Sequence, residues 1–122
     1  MILIVDDDAD TRETLSDVLG DEGYSVLGAA DGLEALELLR SVTPRLILLD
    51  LNMPSMDGQS FRERQLLIPP LASIPTVALS AVSQLPERVG HLTFDEVLTK
   101  PVDLDALLAL VARYCGPHKA PR

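Results

Sequence analysis

Two acidic residues directly after a short apolar run, Asp6 and Asp7 behind Ile2-Leu3-Ile4-Val5, are the first residues in this chain with chemistry to offer. Three more follow at long intervals, each at the end of its own apolar run: Asp50 after Leu46-Ile47-Leu48-Leu49, Ser80 after the run from Ile74, and Lys100, before Pro101, after Glu96-Val97-Leu98. In open α/β sheets the residues just past the carboxyl ends of several strands share one crevice. Carboxylates, a hydroxyl and an ammonium gathered there suit a divalent cation together with a phosphoryl group. Carboxylates at the end of a buried strand are costly unless a cation or hydrogen-bond donors meet them. Crowded acids raise one another's pKa, and Mg²⁺, which takes oxygen ligands, relieves the repulsion. Asp50 has two open roles, metal ligand and nucleophile, since an aspartate carboxylate attacks phosphorus to form an acyl phosphate. Charge spread over the transferring oxygens calls for positive charge and donors, which the cation, Lys100 and the Ser80 hydroxyl would provide. Asp8 reads instead as a solvated turn or helix cap.

The elements that must position these residues follow from periodicity. Ile2 to Val5 and Ser25 to Ala29 read as strands, and Leu46 to Leu49, apolar at every position, as a central parallel strand covered on both faces. Ile74 to Leu79 and Glu96 to Leu98 complete five strands. Between them, Leu15, Val18 and Leu19 recur at helical spacing before Gly23. Asp8 or Asp10 caps that helix, Asp10 and Glu13 having the capping-box offset. Asp31-Gly32 opens a second helix with Ala35, Leu36, Leu39 and Val42 inward and Pro44 at its end. Phe61 to Ile68 forms a third, stopped by Pro69-Pro70, and Pro86 to Leu92 a short fourth. In the last helix Leu104, Leu107, Leu108, Val111 and Cys115 make an apolar stripe, closed by Gly116-Pro117. Tyr114 and Leu110, one turn apart there, belong either to a docking face or to the core margin. Strands alternating with helices predict a doubly wound parallel sheet. Residues 1–116 read as one domain and 117–122 as a short tail.

Composition narrows the function. With 122 residues, 47% hydrophobic and only 3% aromatic, the core must be aliphatic. A net charge of −9 opposes binding to nucleic acid, which needs clustered Lys and Arg, and to anionic membranes. No apolar run approaches the roughly 18 residues of a membrane span and no basic n-region precedes one, so a cytoplasmic protein is expected. The single cysteine, Cys115, excludes an internal disulfide and reads as a small buried hydrophobe. His91 and His118 have no ligand-spaced partner. A nucleotide-binding module lacks its glycine-rich loop, and a metal-dependent hydrolase lacks a general acid near Asp50.

The runs ILIVDDD at 2–8, LLDLNMPSMDG at 48–58, TVALSA at 76–81 and LTKP at 98–101 resemble the receiver domain of two-component response regulators over nearly all of 1–116. The resemblance implies a flavodoxin-like sheet of order 2-1-3-4-5 with five helices. It makes Asp50 the phosphoacceptor, with Mg²⁺, or Mn²⁺ in its place, held by Asp7, Asp50 and the backbone carbonyl of Asn52, and by Asp6 mainly through water. Ser80 would be the switch hydroxyl, Lys100 the partner of the phosphoryl group, and Lys100-Pro101 a cis peptide. Met53-Pro54 and Asp57-Gly58 would shape the loop, while Asn52 and Val82 tune the phosphate's lifetime. The donor would be a histidine kinase or phosphotransfer protein, and the chain a signalling switch with slow self-dephosphorylation rather than a turnover enzyme. Two departures stand out: Val97 occupies the position where receivers commonly carry Tyr or Phe, and the stretch from Ser80 to Lys100 is slightly short. They give some weight to a pseudo-receiver, a phosphorylation-independent interaction module on the same fold.

Overall fold

The computed structural model describes residues 1–51, 58–81 and 94–116. Five parallel strands, β1 (Ile2–Val5), β2 (Val26–Ala29), β3 (Leu46–Asp50), β4 (Thr76–Ala81) and β5 (Glu96–Lys100), form one sheet in the order β2-β1-β3-β4-β5. This is the doubly wound, flavodoxin-like arrangement, whose order reverses between β1 and β3. Every residue of β1 and β3 is buried, as expected of central strands covered on both faces. The expected helix at Pro86 to Leu92 and the expected tail lie outside the described residues, which hold five helical segments: α1 (Ala9–Asp21), α2 (Gly32–Leu38), α3 (Gly58–Leu67), α4 (Pro69–Ala72) and α5 (Leu104–Cys115).

Strand alternation splits the core in two. Ile2, Ile4, Leu46, Leu48, Val77 and Leu79 face Leu15 and Leu19 of α1 and Leu107, Leu110 and Val111 of α5. Leu3, Val5, Ile47 and Leu49 face Ala35 of α2, Leu39 just past its end, and Phe61 of α3. Apart from Phe61 the fully buried large side chains are aliphatic. The twelve largest of them, Phe61 included, at about 2 kcal/mol each would outweigh any single polar contact in the molecule, so packing sets the frame and the polar groups are positioned by it.

Several boundaries differ from the sequence reading, each for a local reason. Helix α1 is capped by Asp8, which accepts from the Asp10 amide at 3.1 Å and the Thr11 hydroxyl at 2.8 Å, so Asp10 lies in the first turn and does not cap. Helix α2 stops at Leu38 because the chain then tightens into shorter-range bonds, Arg40 N–H to Glu37 O and Ser41 N–H to Leu38 O. Helix α3 starts earlier than expected, at Gly58, and Pro69-Pro70 both end it and open α4, where a missing N–H costs nothing. Strand β4 begins at Thr76, two residues later than read, because the Ile74 amide is committed to Leu71 O and Pro75 has none to donate. In α5 Leu107, Leu110 and Val111 are the buried stripe; Leu104, in the first turn, is 38% exposed, and Cys115 only half-buried against the core margin. Leu110 is thus core, and Tyr114 packs against that core as a partly buried neighbour, while the Tyr24 hydroxyl ties the end of α5 by donating to Gly116 O at 2.8 Å.

Candidate functional site

The sheet register brings the chemistry to one edge. Val5 pairs with Leu49, Asp50 with Leu79, and Ala81 with Lys100, so Asp6 directly beyond β1, Asp50 ending β3 and Lys100 ending β5 emerge together at the carboxyl edge. Asp50 and Lys100 are the last residues of their strands and not the first after them, and Ser80 sits inside β4, paired with Thr99. Alternation puts Asp50, level with Leu79, on the side of the sheet facing α1 and α5, and Ser80 on the other side of that alternation.

Asp6 and Asp50 are buried and Asp7 exposed, and each can offer an oxygen within 4.8 Å of the other two. Two buried carboxylates side by side are tolerated only with positive charge nearby. Lys100 supplies some: its ammonium lies 3.3 Å from Asp6 Oδ2 and 3.3 Å from Asp50 Oδ1. Burial pushes the Lys100 pKa down, but Asp50 and then Asp6 outweigh it and leave the group above its ordinary value. Asp6 is anchored throughout: its N–H donates to Ala29 O at 3.1 Å, and its Oδ1 accepts from the Asp8 amide at 2.9 Å. Lys100-Pro101 is a cis peptide, as the resemblance implied.

Three clustered carboxylate oxygens, two of them in a low-dielectric setting, are a hard, oxygen-rich donor set that fits Mg²⁺ or Mn²⁺. The structure therefore brings together Asp6, Asp7, Asp50 and Lys100, and places Ser80 on the neighbouring strand. Asn52, Val82, Met53, Pro54, Asp57, His91 and His118 lie outside the described residues. Beside the acids runs an apolar recess between α1 and the start of α5, lined by Thr11, Thr14, Leu15, Pro101, Val102 and Leu104.

Two features escaped the sequence reading. One is Arg12, whose guanidinium Nη1 donates to the backbone carbonyl of Asp6 at 2.7 Å. Its signal was present: Arg12 stands one turn beyond the Asp8 cap and so returns to the face over the strand end. The other is a buried polar cluster of Arg62, Gln65 and Thr76 at the opposite edge of the sheet.

A parallel five-stranded sheet with acids and a lysine meeting at its carboxyl edge defines an α/β domain whose acidic cluster could hold a metal ion. The chain belongs to the response regulator receiver domain family, whose model matches residues 2–112. It is 42% identical over 116 residues to an uncharacterized 14.6 kDa protein of Leptolyngbya boryana, covering 93% of this chain and 88% of that one. It is 37% identical to the sensor histidine kinase RcsC of Salmonella typhi over 93% of this chain, but spans only 12% of that protein. Among solved structures it resembles the receiver domain of a sensor histidine kinase of Pseudomonas aeruginosa PAO1, which has a magnesium ion coordinated in its active-site cleft, with 26% identity, a TM-score of 0.85, and coverage of 94% of this chain and 96% of that one. Among the described residues no helix is long and apolar enough to cross a membrane.

Proposed function

We propose that the chain accepts a phosphoryl group on Asp50 from a phosphohistidine of a histidine kinase or phosphotransfer protein and answers with a change of conformation. The observation that carries this is the meeting of Asp6, Asp7, Asp50 and Lys100 at one sheet edge. A carboxylate oxygen of Asp50 forms the new O–P bond while the donor's N–P bond breaks and its electron pair returns to the imidazole. Asp6, Asp7 and Asp50 would hold Mg²⁺, which when bound supplies positive charge to the phosphoryl oxygens, as the magnesium in the Pseudomonas relative makes reasonable. Lys100 is placed to exchange its contact with Asp50 for one with the phosphoryl group, as a point charge that stays protonated. The apolar recess beside the site suits a protein donor better than a small molecule, since exposed apolar surface at a site rim is what docking covers. Ser80, buried on β4, would supply the hydroxyl that turns toward the phosphoryl group. Water attack on the acyl phosphate would reset the domain slowly, which makes it a switch and not a turnover enzyme.

Intact mass after incubation with acetyl phosphate tests the reading. A gain of one phosphoryl group that requires Mg²⁺ and is absent in Asp50→Asn supports it. No adduct on protein that demonstrably binds Mg²⁺, even with beryllofluoride as a phosphoryl mimic, overturns it.

A further inference from the structure

Asp7 is the exposed member of the acid cluster, and what places it is the peptide plane that joins it to Asp6. One face of that plane is the Asp6 carbonyl, and Arg12 Nη1 donates to it at 2.7 Å, a short, charge-assisted bond. The Arg12 stem passes over β2 at Gly28, where a methyl group would meet Arg12 Cδ at an ordinary contact distance of 3.4 Å. Arg12 itself is fixed at its backbone by an amide bond to Asp8 O at 3.0 Å in the first turn of α1. The two acids are therefore held in different ways. Asp6 is tied through its side chain to Lys100 and the Asp8 amide, whereas the orientation of the Asp6-Asp7 peptide depends on the guanidinium.

We infer that Arg12 is a positioning residue for the cation: by clamping the Asp6 carbonyl it orients the peptide that carries Asp7 and so sets metal affinity. The inference rests on the reading of Asp6, Asp7 and Asp50 as a metal site. It has an unusual sign. A positive charge near a cation site weakens binding by repulsion, so an account based on charge alone has metal affinity rise when Arg12 is removed. An account based on positioning has it fall, because groups that orient metal ligands typically contribute about 10-fold or more to affinity.

Calorimetric titration with Mg²⁺ of the wild type, Arg12→Met, Arg12→Lys and Asp7→Asn separates these accounts. In Arg12→Met the affinity is expected to fall about 10-fold, with one site retained. Arg12→Lys, which keeps a donor of similar reach, is expected to recover much of the loss and guards against a folding defect in the methionine variant. In the metal-free protein the Asp7 amide resonance moves in Arg12→Met and returns toward its original position in Arg12→Lys. Affinity that is unchanged or tighter in Arg12→Met overturns the positioning role while leaving the metal site intact. Wild-type affinity in Asp7→Asn, or no binding by the wild type, overturns the metal site and this inference with it.

Discussion

The Lys100 ammonium lies 3.3 Å from Asp50 Oδ1, and at the same distance it also reaches Asp6 Oδ2, so one cation is shared between the proposed acceptor and the carboxylate behind it. Both carboxylates are buried, and the lysine side chain is 31% exposed. The arrangement sets a positive charge against both carboxylates and holds the acceptor in place. It also puts the lysine in competition with any divalent cation for the same oxygens.

Replacing Lys100 with Met is therefore expected to have two opposed effects. Metal-free stability falls by about 2 kcal/mol, less than for a wholly buried pair because solvent screens the lysine, as urea unfolding in EDTA would show. Mg²⁺ affinity rises several-fold, because the competing charge is gone. Loss of a positive charge at Lys100 and at Arg12 thus changes metal affinity in opposite directions, which distinguishes a competitor from a positioning group.

The Lys100 pair also has a defined pH window. Its folded-state pKa lies above the ordinary lysine value of 10.5, since Asp50 and Asp6 raise it by more than burial lowers it. A raised value means that the stabilisation is complete below the unfolded lysine's titration and is lost as pH rises through the folded value. The stability gap between wild type and Lys100→Met is expected to stay constant from neutral pH to about pH 9 and to narrow only beyond the ordinary lysine range. A gap that closed near neutrality would show that the lysine is not held by these carboxylates.

Ser80 is level with Thr99 and falls on the opposite side of the strand alternation from Asp50. A hydroxyl so placed has to shift for a group on Asp50 to engage it, which suits a switch better than a preformed catalytic contact. Ser80→Ala is expected to accept phosphoryl at a rate within a few-fold of wild type while losing most of the phosphorylation-dependent change in hydrogen exchange across β4 and β5. An acceptance rate reduced as far as in Asp50→Asn would place Ser80 in the chemistry instead.

The parallel sheet and the places of Asp6, Asp7, Asp50, Ser80 and Lys100 near strand ends could be read from the sequence because each depends on a short local pattern, whereas the strand order followed from the resemblance. An apolar run with a charged residue at its end marks a buried strand reaching the crevice, and the register then does the rest: Asp6, Asp50 and Lys100 meet because Val5 pairs with Leu49 and Ala81 with Lys100. Val97 shows the limit of the same pattern. It is half-buried opposite Ala78, two positions from Thr99 and on the same side of β5, so its place was legible but its consequence for signalling depends on packing that no period encodes. Arg12 was missed for a related reason: a long side chain bonding to a main-chain carbonyl leaves no mark on hydropathy, and an arginine on an amphipathic helix reads as solvated. The start of β4 was misplaced because Ile74 is apolar enough for a strand while its amide belongs to the turn before it.

The polar cluster at the far edge was hidden for the opposite reason, since Gln65 follows Phe61 by one helical turn and therefore occupies a core position with a polar side chain. Its Nε2 donates to Leu71 O at 2.9 Å and to Thr76 Oγ1 at 3.0 Å, and its Oε1 accepts from Arg62 Nη1 at 3.0 Å. Arg62 Cζ lies 5.4 Å from the Phe94 ring centroid, and Asp95 accepts from the Thr76 amide at 2.7 Å, so the cluster ties α3 to the starts of β4 and β5. Burial pushes the Arg62 pKa down and Asp95 partly restores it, yet a guanidinium stays charged in a protein. Gln65→Leu, although an apolar substitution in a core, is thus expected to cost about 3 kcal/mol, because it strips partners from a buried carbonyl, a hydroxyl and a charged group at once. The acids lie at the other edge of the sheet, so Mg²⁺ affinity should remain at the wild-type value while the urea midpoint falls. A matching loss of metal affinity would mean instead that α3 transmits strain across the sheet to the acids.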